Sequence, residues 1–579
     1  MMTRIFDDPA AFANEALDGF VAAHRNYVAR VDGGVVRSTE TPARHVALVV
    51  GGGSGHYPAF AGLVGAGLAA GAACGNMFAS PAAVQVYRVV KAAQVGGGVL
   101  LSYGNYAGDV LNFGQAEQRL NAEGIDTRTV LITDDVASAP LAEVAKRRGI
   151  AGDLTVFKVA GAASEAGLSL DEVERLARKA NDQTRSLGVA FDGCTLPGAG
   201  APLFTVPEGH MSLGLGIHGE PGISDHAVPT ASELAELLVS RLLAERPEGA
   251  GNRVTAILNG LGTVKYEELF LLYGKIETLL GAAGLEIIEP ECGELVTSLD
   301  MAGLSLTLFW LDDELERYWS APADTAAYRK GNLVPRARRT PEELSVAAGA
   351  SYEDATPEAV HLGKIALQAL DVLCDVVVAH EKLLGDLDAI AGDGDHGIGM
   401  RRGAHAAADA ARRAVDTGAG VYEVLTTAGE QWSEEAGGTS GALWGAALIA
   451  VAQELGNRDY YRSEHMAAAV TALRDAIVGL GKAELGDKSM VDALIPFANA
   501  FIEARTGGES TQASLARAAE RAQEAAEQTA ALSPKIGRAR PLAERSVGHP
   551  DPGATSFALI MTGLAHQYDA ILSGGGKIS

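Results

Sequence analysis

Residues 387–400 read LDAIAGDGDHGIGM, placing Asp388, Asp393 and Asp395 around Gly392 and Gly394, with His396 and Gly397 immediately after. Three carboxylates within eight residues repel one another, so a folded chain tolerates them in solvent or around a cation. Oxygen-only ligands favour a hard divalent ion such as Mg²⁺, which binds few carboxylates and keeps positions open for phosphate oxygens. In an extended segment Asp393 and Asp395 point the same way, and Gly394 lets the backbone bend around an ion. The plain alternative is an acidic, glycine-rich surface loop. An EF-hand fits poorly, because no acidic residue stands at the twelfth position. A nucleotide-linked Mg²⁺ site is the better reading.

Around this stretch the texture is helical. Segments 357–384, 400–415, 420–433, 441–455, 463–481, 489–505 and 512–531 are rich in Ala, Leu, Glu and Arg, with apolar positions at three- and four-residue spacing. Antiparallel helices in a bundle or ring are the natural packing. The connecting loops hold the polar chemistry. Gly437-Gly438-Thr439-Ser440-Gly441 precedes a helix and offers N–H groups and hydroxyls as a phosphate cradle; a simple capped turn fits as well. Gly486-Asp487-Lys488-Ser489-Met490 opens another helix, and residues 545–554, RSVGHPDPGA, give a cation and a rigid turn before the last one. Four such loops at helix ends suggest one nucleotide pocket at one end of the bundle.

The first half alternates strands and helices, which indicates an α/β layered domain. Residues 46–50 (VALVV) read as a buried strand leading into Gly51-Gly52-Gly53-Ser54-Gly55-His56. The loop has no Walker A lysine and does not fit G-x-G-x-x-G, so a small polyol or sugar phosphate suits it better than a mononucleotide. Further strands are expected at 98–102, 130–133 and 154–159, with a helix at 171–186. Asp109, after Tyr103-Gly104-Asn105-Tyr106, reads on its own as a helix cap. His218 lies in LGLGIHGEPG, open to close approach; its neutral ring is a competent nucleophile toward a ketone, and a structural or metal-binding role fits equally well. A second α/β lobe follows: helix 231–245, strand 253–259, helix 266–282 and a strand-like run at 303–310.

The organisation expected is therefore an α/β N-terminal domain of two lobes at 1–330, a basic linker at 331–355, and an all-α barrel or bundle at 356–579. The 579 residues carry 73 acidic against 47 basic side chains, a formal charge of −26, which disfavours general binding to nucleic acid or anionic membranes. No long apolar run reads as a membrane span, and the start of the chain lacks a signal-peptide core. Four scattered cysteines form no CxxC pair and fit a reducing cytoplasm.

Together these motifs resemble the single-chain, ATP-dependent dihydroxyacetone kinase family. GGGSGH, NYAGD, GIHGEPG, TSLDMAG, LDAIAGDGDHG, GGTSG, GDKSMVDAL and ERSVGHPDPGATS occur in family order across nearly the whole chain. The resemblance implies a ketose-binding domain followed by a helical-barrel domain for Mg–ATP, and a carbohydrate kinase that works as a homodimer. It implies that His218 holds the substrate carbonyl as a hemiaminal, that Asp109 acts as base on the terminal hydroxyl, and that His56 hydrogen-bonds the substrate and assists proton transfer. Gly53, Ser54 and Gly104 would line the substrate pocket. Asp388, Asp393 and Asp395 would hold two Mg²⁺ ions. His396, Gly438, Thr439, Ser440, Gly486, Met490, Arg545, Asp551 and Gly553 would bind ATP.

The acceptor half departs from the family pattern. Tyr57-Pro58-Ala59-Phe60 stands where the family shows Glu-Pro-Ala-His, and Gly104 replaces its lysine. The smaller Gly104 suggests room for another carbon, hence D- or L-erythrulose beside dihydroxyacetone. Two other readings are an FAD-AMP lyase that forms cyclic FMN, and a non-catalytic ketose-binding regulator.

Overall fold

The computed structural model describes residues 3–331, 340, 355–537 and 539–573. The chain divides into two compact units, Met1–Ala347 and Ala348–Ser579. The expected linker, 331–355, lies almost wholly outside the described residues.

The first unit holds two large sheets. One has six strands in the order Val28–Val31, Gly34–Arg37, Gly71–Met77, Ala47–Ser54, Val99–Gly104 and Thr127–Ile132. Its last four strands run parallel, and the first two form an antiparallel edge. Ala47–Ser54 is central and buried on both faces, which explains its unbroken apolar run. Its period of two divides the core: Ala47 and Val49 pack with Val86, Val89 and Phe113, while Leu48 and Val50 pack with Leu154, Phe157 and Leu176.

The second sheet runs Ser224–Ala227, His210–Leu213, Thr184–Asp192, Ala302–Leu311, Arg253–Gly260, Glu286–Ile287, with Glu291–Gly293 also pairing to Arg253–Gly260. Helices Ala231–Ala244 and Tyr266–Ala282 supply Leu234, Leu238, Leu269 and Ile276 to its core. These helices and the strands at 253–260 and 302–311 stand where the sequence places them.

The strand expected at 154–159 is overturned. Residues 154–159 form no strand; they belong to the helix Asp153–Glu165, buried on every side from Asp153 to Ser164. A segment buried all round shows no polar face, so its pattern cannot separate helix from strand. The helix expected at 171–186 also ends earlier, at Asp182, and Thr184–Asp192 is a strand.

The second unit is helical throughout its described residues. Its principal helices are Pro357–Asp388, His396–Asp416, Val421–Ala436, Gly438–Leu455, Ser463–Gly481, Val491–Thr506, Thr511–Gln528 and Pro552–His566. Each packs on its successor and the last packs on the first, so they close into a ring. Small residues allow close approach: Ala404, Ala407, Ala411 and Ala414 form one buried face of His396–Asp416. Trp432 and Trp444 stack at 5.4 Å inside the ring.

Candidate functional site

In the first unit the polar chemistry gathers at the end of the strand Ala47–Ser54. His56 is 2% exposed, and its Nδ1 lies 2.8 Å from the Thr297 carbonyl oxygen. Its Nε2 lies 3.0 Å from Nε2 of His218. His218 Nδ1 faces Glu220 Oε1 at 3.2 Å, and the His218 backbone N–H donates to Glu220 Oε2 at 3.0 Å. His218 retains 23% side-chain exposure, so it is the member of the pair that a ligand reaches.

These contacts fix the protons. A carbonyl oxygen only accepts, so His56 carries its hydrogen on Nδ1; a carboxylate only accepts, so His218 does the same. The facing Nε2 atoms bond to each other only through one further proton. The pair thus holds a single positive charge opposite Glu220. Burial first, then the charge of His218, lowers the pKa of His56 to about 3. Burial opposes the charge of Glu220, yet His218 and Arg148, 3.6 Å away, hold its carboxylate well below the usual range. Arg148 in turn pairs with Asp135 at 2.8 Å.

Aromatic rings wall the pair. Phe78 stacks on His56 at 5.0 Å and meets His218 edge-on at 5.3 Å. Tyr106 meets His218 edge-on at 4.7 Å, and its hydroxyl donates to the Gly149 carbonyl at 2.9 Å. Gly53 is required by close approach: a Cβ there would stand 2.7 Å from the Ala79 nitrogen and the Phe78 carbonyl carbon. Gly104 ends its strand against the Tyr106 ring and the Gly149 oxygen. Gly53 and Ser54 line a cavity of about 330 Å³ roofed by the helix Phe12–Ala23, with Phe60, Met77 and Thr297 in the same lining. Asp109 is buried in the first turn of Ala107–Ala122, where its charge bears on Tyr103 and Asp153; the cap position belongs to Tyr106.

In the second unit, Asp388 closes the first helix and Asp395 immediately precedes the second, so residues 389–395 form a turn where an extended segment was expected. Gly394 takes a left-handed φ of 79° there. Ligand oxygens of Asp388, Asp393 and Asp395 lie within 4.8 Å of one another. Loss of water and then the Asp388 charge push the Asp395 carboxyl up to about 6. Oxygen donors at this spacing fit hard divalent cations with bonds of about 2.1 Å.

His396 ties three loops together. Its backbone N–H donates to Asp388 at 3.4 Å, its Nε2 lies 3.0 Å from Ser556 Oγ, and its Nδ1 lies 3.3 Å from Ser440 Oγ. Gly438, Thr439 and Ser440 are the first residues of Gly438–Leu455, so their N–H groups stand at a helix N-terminus. Asp492 accepts from the N–H groups of Gly486 and Ser489 at 2.5 and 2.8 Å. Gly553 packs on Met490, and Asp551 caps the last helix through the Ala554 N–H at 2.7 Å. Burial, then the charge of Asp492, pushes Asp551 up to about 7 against the pull of Lys488. Arg545 is exposed on Ala543–Ser546, whose Ser546 carbonyl accepts from buried Lys488 at 2.6 Å.

Sequence reasoning passed over Glu220, Arg148, Phe78, Tyr106 and Thr297 on one side, and Ser556, Lys488 and Asp492 on the other. Glu220 had a signal, a carboxylate two residues after His218 between glycine and proline. Thr297 opens the quoted motif TSLDMAG, whereas Phe78 and Arg148 lie outside every quoted motif and arrive from distant segments.

Comparison with known proteins finds a Dak1 domain over residues 18–327 and a DAK2 domain over 390–566. An L-erythrulose kinase of Pectobacterium atrosepticum is 55% identical over 97% of this chain and 95% of its own. A D-erythrulose kinase of Mycolicibacterium smegmatis is 53% identical over 96% of this chain and 97% of its own. Among solved structures, the dihydroxyacetone kinase of C. freundii in complex with AMP-PNP and Mg²⁺ covers 98% of this chain and 100% of its own, at 30% identity and a TM-score of 0.53.

Proposed function

The chain belongs to the dihydroxyacetone kinase family, as an ATP- and Mg²⁺-dependent ketose kinase, and from that premise we propose that its acceptor is erythrulose, held covalently on His218. The observation that carries this reading is the 3.0 Å pair of His56 and His218. A small ketose offers little surface to grip, and a covalent bond to its carbonyl fixes the orientation that weak contacts cannot.

His56 Nε2 takes the shared proton, which frees the His218 lone pair. That lone pair forms the N–C bond, the carbonyl π pair moves to oxygen, and His56 returns the proton to that oxygen. The product is a hemiaminal with charge conserved. Burial gives His56 a low affinity for the proton, so it releases it readily. Asp109 then takes the proton of the terminal hydroxyl as its oxygen attacks the γ-phosphorus and ADP leaves. Gly53, Ser54 and Gly104 shape the acceptor space.

On the donor side, Asp388, Asp393 and Asp395 would hold Mg²⁺, which neutralises charge on the transferring phosphoryl group. Gly438, Thr439 and Ser440 receive phosphate oxygens at their helix N-terminus, and His396 holds the Ser440 and Ser556 loops in register. Gly486, Met490, Arg545, Asp551 and Gly553 complete the nucleotide site.

Support for a four-carbon acceptor comes from the names of relatives above 50% identity and from Gly104, whose missing side chain leaves the Tyr106 wall undisturbed. Those names cover both hands of erythrulose. The reading takes the working unit as a homodimer, which light scattering checks, acting in a reducing cytoplasm; the four cysteines are free thiols. Among the described residues no helix is long and apolar enough to cross a membrane.

The test is ADP release with Mg–ATP on D-erythrulose, L-erythrulose, dihydroxyacetone and glycerol. We expect the highest kcat/KM on one erythrulose and none on glycerol, which has no carbonyl. A clear preference for dihydroxyacetone overturns the choice of acceptor, and undiminished turnover by His218→Ala overturns the tether.

A further inference from the structure

Every ring nitrogen of the histidine pair is accounted for, and one partner, Glu220, has no part in the reaction described above. It holds His218 by two contacts, the ring Nδ1 at 3.2 Å and the backbone N–H at 3.0 Å. It is held itself by Arg148, which Asp135 anchors from behind.

A histidine attacks through whichever nitrogen bears the lone pair, and the hydrogen on the other nitrogen decides which that is. Attack through Nε2 also leaves the ring as an N-substituted imidazolium, with its positive charge fixed until the bond to carbon breaks. We propose that Glu220 is a positioning residue for the covalent step: it pins the Nδ1 hydrogen of His218 so that Nε2 faces the ketose, and it balances the imidazolium charge of the hemiaminal. This rests on the tether proposed above.

The charge count supports it. Before attack, one proton on the pair opposes one carboxylate. After attack, the neutral His56 and the substituted His218 cation oppose the same carboxylate, so no net charge is created in the pocket. The titratable and charged groups facing this centre are His56 from the glycine loop, Tyr106 from the turn after Val99–Gly104, Arg148 with Asp135 behind it, and Cys194. Glu220 is the anion in direct contact with the ring of His218.

The test uses the full chain and compares wild type, Glu220→Gln, Glu220→Ala and His218→Ala. Glu220→Gln is isosteric, still accepts from Nδ1, and leaves Arg148 paired with Asp135, so the loop keeps its support. We expect kcat/KM for erythrulose to fall about tenfold in Glu220→Gln and about a hundredfold in Glu220→Ala, the range seen for carboxylates that orient metal-ligating histidines. KM for Mg–ATP should stay unchanged. The limb of kcat/KM set by loss of the pair's proton should move to lower pH in Glu220→Gln, because the removed anion favoured the protonated form. A fall that is equal at every pH, or no fall, overturns the inference while His218→Ala still reports the tether. Undiminished turnover by His218→Ala removes the tether and this inference with it.

Discussion

His56 and His218, 162 residues apart in sequence, meet through their Nε2 atoms at 3.0 Å, while their outer nitrogens face Thr297 and Glu220. The two strand-end loops that present them come from different sheets. The histidine pair is therefore a product of how the two sheets of the first unit pack, and any change that spreads the loops separates the two Nε2 atoms.

Gly53 is one position where that pair can be disturbed. A methyl group there meets backbone atoms of Phe78 and Ala79, which cannot swing aside, and Phe78 carries the ring stacked on His56. Gly53→Ala should lower kcat/KM for the ketose by at least about a hundredfold, the scale of a misplacement near 1 Å. Gly114→Ala is the matched control: it lies within Ala107–Ala122 with open space around its Cβ position, and should add about 0.5–1 kcal/mol of stability with activity intact. Steady-state kinetics and thermal melts on the two variants check this.

The four-carbon acceptor proposed above rests in part on Gly104. A Cβ at this position would stand 3.1 Å from the Tyr106 ring, which meets His218 edge-on. Gly104→Ala pushes that ring toward the substrate. It should lower kcat/KM for erythrulose about tenfold more than for dihydroxyacetone, since one carbon in a closed pocket is worth roughly that ratio. Equal losses on both ketoses would remove Gly104 from the specificity argument.

Asp393 tests the cation site. Its carboxylate is one of three whose oxygens converge within 4.8 Å, and amide replacement removes a charge while keeping the shape. Asp393→Asn should raise the Mg²⁺ concentration for half-maximal rate by at least about tenfold, the minimum that even indirect partners of a metal supply. KM for the ketose should not move. Titrating Mg²⁺ at saturating ATP and ketose separates the two.

The helical unit was largely legible because its apolar spacing is regular and its loops contain glycine and acidic residues. The loop holding Ser440 is legible from composition, the roles of His396 and Asp551 come from the family resemblance, and His396 does join the Ser440 and Ser556 loops. The α/β unit was legible where a strand alternates or runs wholly apolar between turns. It failed at 154–159, where burial on all sides erased the period and even Lys158 is buried, donating to the Tyr318 carbonyl at 2.8 Å. Glu220 is visible two residues after His218, but its two contacts with that residue are geometry that spacing alone does not express.

Asp551 gives the pH-dependent prediction. Its carboxyl titrates near 3.8 in the unfolded chain and near 7 in the fold, where burial and the Asp492 charge oppose ionisation. Between those values the folded state binds more protons than the unfolded one, so its contribution is fully present below about 3.8 and is lost as pH rises through 7. Asn cannot ionise but keeps an oxygen to accept the Ala554 N–H that caps the last helix. Asp551→Asn should therefore raise the melting temperature of the helical unit by about a few degrees at pH 8, with the gain gone at pH 4. KM for ATP should rise at the same time, because a charged, strained group kept at a binding site trades stability for function. A variant with no gain at pH 8 would mean that the carboxylate is already stabilised in the fold. A gain without a change in KM for ATP would leave Asp551 a helix cap and no ligand of the nucleotide.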